Sequence, residues 1–138
     1  MKLINLKSFW PAIGMFLLAT ALFCIPGDRL PDEDWLGKIS IDKIVHIGLF
    51  AALVILWGLP FIARANAGTD SQRSLRRTMI TIVVMAVLYG VAIEFIQGAF
   101  IPNRSYSLAD MVADALGSLA GGVLLRSQRK AAMNQLKN

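Results

Sequence analysis

The stretch IDKIVHIGLFAALVILWGLPFI, residues 41–62, decides the fold. From Ile47 onward it has no ionisable side chain, and it is long enough to cross about 30 Å of hydrocarbon as a helix. Yet Asp42, Lys43 and His46, the chain's only histidine, stand at its head. A buried span led by three ionisable groups poses two questions: what surrounds the span, and what the three groups meet.

Three other apolar blocks accompany it. The spans read as about Phe9–Pro26, Ile44–Ile62, Met79–Ile101 and Leu108–Leu125. With 56% hydrophobic and 17% charged residues and a mean hydropathy of +0.58, the 138-residue chain is too apolar for a soluble domain of its size. The expected fold is all-α: one integral membrane domain over residues 1–138, a four-helix bundle. Gly and Pro within the blocks are tolerated in lipid-embedded helices, and Trp10, Trp35 and Trp57 fall where interfacial anchors belong. The opening MKLINLK and its apolar run also fit a secretory signal. Apolar character continues past Ala21 to Pro26, which favours an uncleaved span.

Basic residues set a direction. Ten Lys and Arg lie before span one, between spans two and three, or after span four, against four in the other two loops. Those two loops also hold Asp28, Asp32, Glu33, Asp34 and Asp42. The bias predicts both termini in the cytoplasm. The net charge of +5 therefore reads as membrane orientation, and no nucleic-acid partner is expected, since the basic residues cap apolar blocks. Cys24 is the only cysteine, so an intramolecular disulfide is excluded.

In this orientation the polar residues hardest to explain gather at the outer ends of spans two, three and four. Asp42, Lys43 and His46 share a helical face by their spacing of three and four. Glu94 and Gln97 lie late in span three, roughly 12 Å before Pro102. Asp110 and Asp114 open span four, and Arg104 lies in the turn between. A charge in the bilayer costs on the order of 3 kcal/mol even on the mildest scale, so Glu94 and Asp114 are expected to turn inward, towards Lys43, His46 and Arg104. Plainer roles stand beside this one. Asp42 suits a helix cap, Ser107-x-x-Asp110 a capping box, and Lys43 can snorkel to the interface. No catalytic residue, metal site or cofactor is expected. One histidine without HExxH is a weak metal signal, and Lys43 and Arg104 would repel a cation. Asn103-Arg104-Ser105 matches a glycosylation sequon, but a tight turn is a poor acceptor. Gly117-x-x-x-Gly121 lets helices approach closely, either within the chain or with a membrane protein partner.

In order and spacing these motifs resemble the VanZ-like family of small bacterial membrane proteins. The resemblance rests on Asp42-Lys43-x-x-His46, Glu94-x-x-Gln97, Asn103-Arg104-Ser105 and Asp110-x-x-x-Asp114-x-x-Gly117-x-x-x-Gly121, with IPGDRLP upstream, and covers roughly residues 24–122. The family usually carries asparagine where this chain has Asp114, which adds a titratable group. The resemblance implies an outward-facing envelope role in the bacterial cytoplasmic (inner) membrane. Its founding member is associated with low-level resistance to the glycopeptide teicoplanin, and no mechanism comes with it.

Four functions compete. In the first, an accessory protein binds a lipid or lipid-linked envelope intermediate, or the lipidated antibiotic. Lys43 and Arg104 then engage phosphate or carboxylate, while Asp42, His46, Glu94, Gln97, Asp110 and Asp114 complete the ligand-binding pocket. The second is a structural subunit of a larger membrane complex. The third is an enzyme acting on a lipid head group, with Glu94 or His46 as general base but no clear nucleophile. The fourth, a proton-coupled transporter, ranks last because span one lacks a carboxylate.

Overall fold

The computed structural model describes residues 6–29, 41–68 and 71–135, and these are helical apart from their turns. Helix α1 covers Trp10–Phe23, α2 Ile41–Asn66, α3 Gln72–Phe100 and α4 Leu108–Gln135. Short 3-10 turns at Leu6–Phe9 and Gly27–Arg29 flank α1. Trp35 and the acidic loop around it lie outside the described residues.

Among the described residues three helices are long and apolar enough to cross a membrane: α2, α3 and α4. Helix α1 is shorter than the block expected at residues 9–26. Its 14 residues span about 21 Å, because the chain leaves the helix at Cys24 and Pro26 cannot continue it. The other helices overrun their apolar blocks. In α3 the basic segment QRSLRRT extends the helix, started by the Ser71 side chain accepting the Ser74 N–H at 3.2 Å.

The packing inverts that of a soluble protein. On α4 the buried face is small or polar at Asp110, Ala113, Asp114 and Ser118, with Leu125 its large apolar member, while Val112, Leu116, Leu119 and Val123 are exposed. On α3, Ile80, Val84, Leu88 and Phe95 likewise face outward. An aliphatic surface of that extent suits lipid.

Helices α2 and α4 form the closest pair. A Cβ at Gly117 would stand 2.8 Å from the Ile47 Cα, and one at Gly121 2.6 Å from the Ala51 carbonyl oxygen. The two glycines are thus used within the chain, and the helix they accommodate is α2. A core of Ala19, Phe23, Phe50, Leu53 and Ile93 ties α1 to α2 and α3. Helix α1 reaches α3 through the Thr20 and Tyr89 hydroxyls, 2.9 Å apart, and through Phe16 against the Tyr89 ring.

Candidate functional site

At one end of the bundle the ionisable residues of three helices meet. His46 on α2 and Asp114 on α4 are joined by a 2.8 Å hydrogen bond between Nδ1 and Oδ1. Asp42, one turn earlier on α2, lies with Oδ1 3.8 Å from His46 Nε2. Lys43 Nζ is 3.3 Å from Asp110 Oδ1, a second link between α2 and α4. Glu94 enters from α3, and His46, Glu94 and Asp114 bring ligand atoms within 4.8 Å of one another. His46, Glu94, Gln97 and Asp114 are each exposed by 2% or less.

Local geometry explains how such groups are tolerated. Gly90 on α3 makes room for Asp114, whose Cβ would stand 2.7 Å from a Cβ at that position. Phe23 closes the cluster from α1, its ring centroid 4.6 Å from that of His46. Ser118 donates to the Asp114 carbonyl at 2.8 Å.

The capping box expected at Ser107 is shared between helices. Its first half forms as expected, with the Asp110 N–H donating to Ser107 Oγ at 3.3 Å. In the usual box the third-position acid returns the favour to the cap N–H. Here Asp110 pairs with Lys43 instead, and Glu94 Oε2 accepts the Ser107 N–H at 2.8 Å. Glu94 thereby holds the start of α4 from α3.

Six of the eight expected site residues come together: Asp42, Lys43, His46, Glu94, Asp110 and Asp114. The other two turn to the last residue of α1 and the chain just after it. Gln97 Nε2 donates to the Phe23 carbonyl at 2.9 Å, and Arg104 Nε to the Ile25 carbonyl at 3.4 Å. The Gly27 N–H adds a bond to the Pro102 carbonyl at 3.1 Å. Gln97, near the end of α3, and Arg104, in the turn after it, are thus clips onto the end of α1. Sequence reasoning missed Phe23 and Gly90, which carry no charge or motif that marks them, and it read Ser107 as a cap without the bond of its amide to Glu94.

Four carboxylates surround one lysine and one imidazole, and two buried oxygens, Glu94 Oε1 and Asp114 Oδ2, accept no hydrogen bond. The cluster therefore offers acceptors more than donors. A hydroxyl, amide or ammonium would complete it, as would a cation. One imidazole nitrogen and two carboxylates form a donor set that divalent metals use, a possibility to which the sequence alone gives little weight. Comparison with protein-family models, curated proteins and solved structures finds no match.

Proposed function

We propose that the chain is a multi-pass protein of the bacterial cytoplasmic membrane, VanZ-like in its motifs, with both termini inside. In this reading the polar cluster faces outward and binds the head group of a lipid or lipid-linked envelope intermediate, in an accessory or antibiotic-tolerance role. The fourth crossing is supplied by α1 with the turn before it. About 21 Å of α-helix plus about 8 Å of 3-10 turn approaches the hydrocarbon thickness.

One observation carries the binding role: two buried carboxylate oxygens beside His46 lack a donor. An unsatisfied buried acceptor costs about 1–3 kcal/mol, which a ligand donor relieves. The chemistry favoured is a head group rich in hydroxyl, amide or amine, with the Lys43–Asp110 pair at the rim, where Lys43 is 40% exposed, meeting an adjoining phosphate. This shifts the weight of recognition from Lys43 and Arg104 to Glu94 and Asp114.

The test is mass spectrometry of lipids co-purifying with wild type and with Glu94→Gln, which keeps size and can still accept from the Ser107 N–H. One lipid class retained by wild type and lost from folded Glu94→Gln is the expected result. An unchanged lipid profile would sink the proposal. A second reading, a helix clip without ligand, is favoured by the Gln97 and Arg104 contacts. It predicts that Arg104→Ala loosens the fold while no lipid class is selected.

A further inference from the structure

A groove of about 940 Å³ opens at the opposite end of the bundle, between α1, α2 and α3. Its wall changes character along its length. Arg73 and Arg77, one helical turn apart on α3, stand at one end with the hydroxyls of Ser71, Ser74 and Thr78. Below them the lining turns apolar, with Trp10, Trp57, Phe61 and Ile82. No carboxylate of the described residues lines it, and neither guanidinium pairs with another described residue. From Arg73 to Ile82 the helix rises about 13 Å, close to half of the ~30 Å hydrocarbon core.

We infer that this groove seats one anionic phospholipid, its phosphate between Arg73 and Arg77 and an acyl chain along Trp10, Trp57 and Phe61. Charge selects the occupant. Two guanidiniums without a partner among the described residues call for an anion with phosphate geometry, and the apolar lining below them calls for a chain attached to it. A free phosphate would leave the trough unfilled. A zwitterionic lipid would bring an ammonium beside the two arginines. The groove faces the leaflet on the basic side of the chain, where anionic lipid meets Lys and Arg most favourably. It is separate from the polar cluster, and neither site depends on the other's reading.

Trp10 and Trp57 report directly on occupancy. The purified full chain carrying Trp35→Phe is placed in phosphatidylcholine nanodiscs, and brominated phosphatidylglycerol or brominated phosphatidylcholine is titrated against tryptophan fluorescence. The expected result is half-maximal quenching at roughly tenfold lower mole fraction for the anionic lipid. Arg73→Gln with Arg77→Gln brings the two curves together. Arg76→Gln with Arg126→Gln, an equal charge loss outside the groove, leaves them apart. Circular dichroism confirms that each variant is helical. Coincident curves in wild type would overturn the inference, as would a preference that survives Arg73→Gln with Arg77→Gln. So would equal loss in both double variants, which marks general surface attraction. Reversal of quenching by millimolar inorganic phosphate would assign the arginines to a small anion instead.

Discussion

His46 Nδ1 and Asp114 Oδ1 stand 2.8 Å apart, joining α2 to α4 where neither side chain reaches solvent. The bond needs an oxygen acceptor at position 114, which asparagine also supplies. Asp114→Asn is expected to lower stability by about 1 kcal/mol or less, and Asp114→Ala by about 2 kcal/mol or more, because alanine strands the imidazole donor. Thermal unfolding in mild detergent distinguishes them. Equal damage from both would mean that the negative charge, and not the hydrogen bond, holds the pair.

The clips on the end of α1 act locally. Gln97→Leu removes the donor to the Phe23 carbonyl, and Arg104→Ala the one to Ile25, each at about 1 kcal/mol. Hydrogen exchange should accelerate over residues 24–29 and stay unchanged in the α2–α4 pair. Acceleration throughout the bundle would show that these bonds support the whole fold.

Close approach of α2 and α4 makes glycine positions unequal. Gly117→Ala drives a methyl group against the Ile47 backbone and should cost about 1–3 kcal/mol. Gly48→Ala meets nothing within 4 Å and should be neutral or gain up to about 1 kcal/mol. Both substitutions lie in helices, so propensity alone would make them alike. A matching pair of melting temperatures would contradict the packing described.

Orientation is open to chemical labelling. In a Cys24→Ser background, Ser105→Cys in the α3–α4 turn should react with an impermeant maleimide on intact cells, and Ser127→Cys on α4 only after lysis. Both residues are exposed. The reverse pattern would invert the topology and place the polar cluster inside.

Periodicity and hydropathy made much of this legible. The unbroken apolar runs of α2 and α3 marked helices on composition alone, and spacing of three and four put Asp42, Lys43 and His46 on one face. The extent of the helices was hidden, because QRSLRRT is too polar for a hydropathy reading although Ser71 caps it well. The destinations of Gln97 and Arg104 were hidden for a different reason. Each donates to a backbone carbonyl distant in sequence, and a carbonyl belongs to every residue, so it leaves no mark in the sequence. The groove was equally invisible. Its aromatic residues come from α1, the turn before it and α2, and meet the arginines of α3 only when the bundle forms.

The three bonds from the end of α3 and the turn after it, through Gln97, Arg104 and the Pro102 carbonyl, all grip the same end of α1. At its other end Phe9, the residue before α1, packs its ring against Trp57 and Phe61 of α2. A helix tied at one end by hydrogen bonds and at the other by ring contacts tilts more readily than it slides. Its pivot lies beside Phe23, whose ring rests on His46, so a swing of the first helix would be felt at the far face of the bundle as a tilt of one aromatic ring.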